Sequence, residues 1–218
     1  MMVIGKNTIG CALALILTIL LLCSGVLLFV AKTGVVHVPL FSAAYHGPTP
    51  TRLISAQPIT MDAFRVMLGS RFFNQVIPSR AVSKGSVPKE FRVRVTEKEL
   101  TGVVMNAIDA TLRSGGWRQS YAQIVVRPTD VELFGQFQSS WQHIDLLARF
   151  VPTTTADGIR FDPSFVQIGD IPLSPSFAYR MASSVFSRDV GTWSGSFGAA
   201  KIRNIQLSDG VIELIASP

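Results

Sequence analysis

The chain is poor in the residues that most enzyme chemistry needs. Of its 218 residues two are cysteine, Cys11 and Cys23, and three are histidine. Both cysteines lie within or beside one apolar run. The rest of the chain therefore offers no thiol for a disulfide, a thiolate metal site or a nucleophile. Lipoprotein processing is excluded too, because bulky Leu22 precedes Cys23 and no apolar stretch precedes Cys11. Beyond residue 90 the single histidine is His143, and metal binding there would fall to dispersed carboxylates. No G-x-S-x-G elbow occurs, since Ser194 and Ser196 stand among glycines at the wrong offsets. The run Gly191–Gly198, GTWSGSFG, lacks both the Lys-Ser/Thr of a phosphate loop and the dinucleotide-binding spacing, and reads as a flexible loop. His143 and Asp145 are two residues apart and would share one side of a strand. A base oriented by a carboxylate is conceivable there, but a surface position is the plainer reading. The expectation is a protein that is not an enzyme, with no cofactor and no metal.

What the sequence has is a long greasy start. Ile9 to Ala31 is 23 residues without a charge. As a helix this run spans roughly 34 Å, enough to cross a bilayer core with some tilt. It is longer than the apolar part of a signal peptide, and no small-residue cleavage site follows closely. An uncleaved single-pass anchor is expected. Lys6 and Lys32 flank it almost evenly, so loop charge barely sets the orientation. The short tail before it and the 187 residues after it favour a C-terminal domain outside the cytoplasm, on a bacterial inner membrane.

Composition then shifts. Residues 32–60 hold four prolines and no acidic residue, which reads as an extended tether. Residues 61–77 look helical, with Thr60 as N-cap and Met61, Phe64, Leu68, Phe72 and Val76 near one face; Pro78 should end that helix. Residues 32–90 carry seven Lys/Arg against Asp62 and Glu90, whereas residues 91–218 carry twelve charges of each sign. The overall +6 is thus mainly juxtamembrane. Lys32, Arg52, Arg65 and Arg71 are candidates for contact with anionic lipid at the membrane surface. Scattered basic residues and a neutral domain argue against a nucleic-acid partner.

The expected boundaries are 1–8 short cytoplasmic tail, 9–31 transmembrane anchor, 32–60 tether, 61–90 amphipathic helix and loop, and 91–218 extracytoplasmic α+β domain. Phe91, Val93 and Val95 alternate with Arg92 and Arg94 as in a half-buried strand. Thr96 and Glu99 fit a capping box, followed by a stripe of Leu100, Val103, Val104, Ala107, Ile108 and Thr111. Ser114-Gly115-Gly116 should stop this helix. YAQIVVR and VELFGQF flank Pro128-Thr129-Asp130 as a hairpin, and WQHIDLLARFV continues as a strand. One or two strands follow Thr155–Gly158. A second helix starts at Ser174-Pro175, with Phe177, Met181, Ala182 and Val185 on its apolar side. A last hairpin turns at Ser208-Asp209-Gly210. About seven strands and two helices make an antiparallel α+β domain.

In this order the segments VRVTEKELTGVVMNAI, QIVVRPTDVELFGQF and IRFDPSFVQIGDIPLSPSFAYRM, with a closing strand pair, resemble the YpmS-like family of membrane-anchored, extracytoplasmic bacterial proteins. The resemblance covers about residues 88–216 and the anchor. It rests on the threonine-x-x-glutamate-leucine helix start and on Ile168-Gly169-Asp170-Ile171-Pro172-Leu173-Ser174. Such proteins are similar to tubular lipid-binding (TULIP-like) domains. The resemblance therefore implies a curved antiparallel sheet wrapping one or two helices around an apolar groove, and no catalytic residue. Inward-facing candidates are Leu100, Val104, Ile108, Ile124, Val126, Val131, Leu133, Phe137, Ile144, Leu146 and Phe150. Of these, Leu100, Val104, Ile108, Ile124, Val126, Leu133, Phe137, Leu146 and Phe150 are the expected lipid contacts. Two functions follow: a non-enzymatic, anchored lipid-binding or lipid-handling protein of the cell envelope, or a structural or interaction subunit of an envelope assembly with no small ligand. The implied partners are the membrane, a lipid ligand and an envelope protein.

Overall fold

The computed structural model describes residues 6–36, 45–82, 90–113, 118–140, 142–155, 158–174, 176–177, 180, 192–193, 196–197 and 200–217. Helix α1, Lys6–Thr33, contains the apolar run and is long and apolar enough to cross a membrane. Its residues Ile16 to Phe29 are exposed along every face, as lipid-facing residues would be, whereas Ala31 is 2% exposed because the domain closes over it.

Helix α2, Met61–Val82, begins as the sequence predicts: the Ala63 amide donates to Thr60 Oγ1 at 3.2 Å. Phe64 and Leu68 are buried, and Phe72 packs against the same core with its ring 4.8 Å from that of Phe91. Met61, expected on that face, is exposed. Pro78 does not end the helix, which runs on to Val82. A proline removes one N–H donor and strains one turn, but later residues still find carbonyls within their own turn.

Strand β1, Phe91–Thr96, alternates buried and exposed as expected and leads into α3, Glu97–Arg113. The Thr96 amide donates to Glu99 Oε2 at 2.9 Å and the Glu99 amide to Thr96 Oγ1 at 3.3 Å, so the capping box forms in both directions. The buried side of α3 is rotated from the expected stripe. Thr101, Gly102 and Val103 are buried, whereas Ala107 is exposed. The cause is β2: Ile124 offers its N–H and C=O to the Thr101 hydroxyl at 2.9 and 3.1 Å. The helix thus lies along the free edge of β2 and satisfies part of it.

Ten antiparallel strands are described: β1; β2, Arg118–Val126; β3, Val131–Gln138; β4, His143–Thr155; β5, Gly158–Ile168; β6, Ile171–Leu173; β7, Thr192–Trp193; β8, Ser196–Phe197; β9, Ala200–Ser208; and β10, Val211–Ser217. They form one sheet in the order β1-β10-β9-β8 and another in the order β2-β3-β4-β5-β6, with β7 paired to β5. The fold is therefore α+β, as the sequence indicates. The predicted turns are present at Arg127–Asp130, where the Arg127 amide donates to the Asp130 carbonyl at 2.9 Å, and at Ser208–Val211. Gly210 there has φ +75°. A Cβ would meet only ordinary contacts at 3.6 Å, so the cost of Gly210→Ala is left-handed backbone strain, about 1 kcal/mol. Thermal unfolding of that variant should show a loss of this size.

The main core lies at the end of the domain away from the anchor. Val93, Val95, Ile202, Ile212 and Leu214 of the first sheet meet Phe64 and Leu68 of α2, Val103 of α3, and Val126, Val131 and Ile159 of the second sheet. One extra residue in β5, Ser164, switches that strand's alternation between Phe165 and Pro163. The bulge lets Ile159 and Phe161 share a face with Val166 and Ile168.

The second helix, expected after Ser174-Pro175, falls almost wholly outside the described residues; Phe177 within it is exposed. The Ser114-Gly115-Gly116 stop, the side chain of Val76 and most of the glycine-rich run 191–198 also lie outside them.

Candidate functional site

In the register of β2, β3 and β4, Ile124 sits opposite Leu133 and Leu133 opposite Ala148, while Phe137 faces Ile144 and Val131 faces Phe150. The residues expected to face inward on these strands therefore do share one side of the sheet. That side is not uniform. At the far end Val126 is fully buried in the main core, with Leu100 and Ile124 packed on it. Nearer the anchor a second, smaller cluster forms around Ala148 and Val166, bordered by Leu133, Leu146, Phe150 and Leu173. These four, together with Phe137, Ile144, Ile168 and Ile171, are only partly buried. Val104 and Ile108 on α3 are partly buried too.

Helix α1 packs against one end of this apolar side. The Asp170 amide donates to the Lys32 carbonyl at 2.9 Å, and the His143 amide lies 3.4 Å from the Val35 carbonyl. The β5–β6 turn and the β3–β4 hairpin thus sit against the end of α1. Gly169 has φ +55° and passes so close to the Thr33 carbonyl that no Cβ would fit. The end of α1 is thus clasped by the domain rather than loosely leashed to it.

The opposite side of the sheet holds what the sequence reading missed. Residues 45–60, expected as tether, lie across it as an extended strap. The Tyr45 hydroxyl donates to Asp145 Oδ2 at 2.5 Å. The Thr51 amide and hydroxyl both donate to Glu132, each at 2.8 Å. Gln123 takes the Ile54 amide on its oxygen at 2.7 Å and gives its nitrogen to the Arg52 carbonyl at 2.6 Å. The Ile59 amide donates to the Gly102 carbonyl at 2.9 Å, where a Cβ on Gly102 would strike Gln57 and Ile59. Glu132 and Gln123 are completely buried, and Asp145 nearly so. Beside them Val125, Phe134 and Leu147 are buried as well. Polar groups in such a place must be hydrogen-bonded, and the strap supplies the partners. The missed signal was apolar: Val125, Phe134 and Leu147, one on each of three neighbouring strands, share the side on which His143 and Asp145 were read as surface.

Two of the four basic candidates, Arg52 and Arg71, are used within the fold. Arg52 pairs with Glu97 at 2.6 Å and Asp209 at 2.5 Å, and donates to the Val126 carbonyl at 3.0 Å. Its guanidinium is held above its ordinary pKa, chiefly by the bond to Glu97 and then by Asp209. Arg71 pairs with Glu99 and donates to the Arg94 carbonyl at 2.7 Å. Arg65 is exposed near Asp62, and Lys32 is exposed at the end of α1. Burial works against the Glu99 charge, but Arg71, with the amide and hydroxyl of Thr96, outweighs it and holds the carboxyl below its ordinary value of 4.5. A depressed folded pKa adds stability above that ordinary value and loses it as pH falls through the folded one. Acid unfolding of the native chain should therefore show this loss below about pH 4.5. Thr96→Ala should remove part of it and cost about 1 kcal/mol at neutral pH, read by urea unfolding at both pH values.

His143 and Asp145 do face the same way. His143 Nε2 stands 2.9 Å from Asp145 Oδ1, but out of line for a hydrogen bond, so that buried oxygen has no hydrogen-bond partner. Burial, then the Asp145 carboxylate, push the Tyr45 phenol well above its ordinary pKa, so it remains a proton donor to that carboxylate. Among the described residues no group of three or more histidine, cysteine or carboxylate side chains could hold a metal. In comparisons with protein-family models, curated proteins and solved structures, nothing matches this chain.

Proposed function

We propose that this chain is a non-enzymatic, membrane-anchored lipid-binding or lipid-handling protein of the bacterial cell envelope, with its C-terminal domain outside the cytoplasm. One observation carries the reading. The apolar side of the second sheet is sealed at its far end and half-open at the end held against the anchor, where Phe137, Ile144, Leu146 and Ile171 are only partly covered. An apolar surface open beside a bilayer suits acyl chains, which are selected by their length and greasiness rather than by polar groups. The resemblance to TULIP-like domains agrees with it, and a curved sheet around a helix-lined groove is the finer form of the same proposal.

The test is lipid analysis of the full chain, extracted in mild detergent and passed through gel filtration. Stoichiometric diacyl lipid is expected with the native chain, and at least a tenfold reduction with Leu146→Trp, which narrows the trough without adding polarity. A chain that carries no lipid in any mild detergent, or a Leu146→Trp variant that keeps its lipid, overturns the reading. The alternative, an interaction subunit of an envelope assembly, is favoured by α2, whose Val66 and Phe73 are 73% and 65% exposed, one heptad apart on one face. Crosslinking from Phe73 in intact membranes that repeatedly recovers one protein, with no lipid bound to the chain, would support it.

A further inference from the structure

A separate cleft of about 310 Å³ lies where the anchor meets the domain. One wall is Ala31, Val35 and Val36, at and just after the end of α1, and the other is the β3–β4 loop with Ser139, Gln142 and His143. Ala31 and Val35 sit within a turn or so of the last lipid-facing residue, Phe29, so the cleft stands at the height of lipid headgroups. Its two walls differ in kind, as a headgroup region does, with an apolar side toward the helix and a polar side toward the loop.

We propose that this cleft binds the phosphodiester headgroup of a membrane glycerophospholipid. The donors are on the loop. Ser139 Oγ accepts from the Gln142 amide at 3.3 Å, which leaves its own proton to give. The Gln142 side chain carries a further N–H₂ group. The imidazole of His143, 42% exposed, lines the cleft with Nε2 2.9 Å from Asp145 Oδ1. Lys32, exposed on the last turn of α1, adds positive charge at the same height. The cleft lies at the hairpin end on the strap side of the sheet, with Tyr45 in its lining, and so is distinct from the apolar trough. The inference does not depend on lipid being held in that trough.

The experiment is a titration of the full chain in a phosphate-free glucoside detergent, followed by the amide shifts of Ser139, Gln142 and His143. The probes are dihexanoyl phosphatidylglycerol, dihexanoylglycerol and inorganic phosphate. Saturable shifts with the phospholipid are expected, at least tenfold larger than with either other probe. They should be lost in Ser140→Trp, because Ser140 lines the cleft yet is exposed, so the ring fills space without disturbing the core. Unchanged shifts at Gly210 and Ile159 would show that this variant is folded. No shift, equal shifts with dihexanoylglycerol, or equal shifts with inorganic phosphate would each overturn the proposal, the last by showing a free-anion site.

Discussion

Glu132→Leu should destabilise the domain by about 3 kcal/mol, among the largest losses expected from a single side chain here. The carboxylate is fully buried and accepts three bonds, two from Thr51 and one from Arg149 Nε at 3.2 Å. Leucine fills the same space and satisfies none of them. The Thr51 amide is left without its acceptor and Arg149, about one-third exposed, without its counter-charge. Glu132→Gln keeps one acceptor oxygen and the shape, and should lose about 1 kcal/mol. The losses have a local signature. Limited proteolysis within residues 45–58 should quicken in Glu132→Leu under conditions where the sheets remain folded, because the strap is released first. Equal proteolysis in the native chain and the variant, or a loss below about 0.5 kcal/mol, would mean that the strap is not held through this carboxylate.

Leu68→Ala should cost about 3 kcal/mol. Leu68 is 1% exposed and lies with Phe64 in the main core, against residues of both sheets. A helix belonging only to the membrane surface would tolerate this change with little effect. The neighbouring Val66 supplies the contrast: it is exposed, and Val66→Ala should change stability by less than about 0.5 kcal/mol. Urea unfolding of the two variants separates the two pictures of α2. Equal effects would place α2 outside the cooperative core.

Local rules carried further in the sequence than long-range ones. The Thr96–Glu99 box was legible because both partners lie within one turn, and it forms in full. The shared side of Ile124, Leu133, Phe137, Ile144, Leu146 and Phe150 was legible because strand alternation has a strict period of two. Residues 45–60 were not legible as part of the fold, since an extended, proline-containing strap has no period and docks through contacts 43 to 100 residues away, such as Ile59 to Gly102 and Tyr45 to Asp145. For the same reason the buried roles of Gln123, Glu132 and Asp145 could not be read: in isolation they look like solvated strand positions. The rotation of α3 toward Thr101 follows from the edge of β2, which no helical pattern encodes. The trough was legible as apolar positions, but how far it is covered depends on packing between elements distant in sequence.

The central claim is that acyl chains occupy the membrane-near half of the sheet's apolar side. The most direct measurement is photocrosslinking in native membranes, using phospholipid with a diazirine in its acyl chain and mapping adducts by mass spectrometry. Adducts are expected on alternate β4 positions, Ile144 and Leu146, and not on Leu147 or Arg149, whose side chains face the strap side. Adducts confined to the exposed α1 residues Ile16 to Phe29, with none on Ile144 or Leu146, would contradict it.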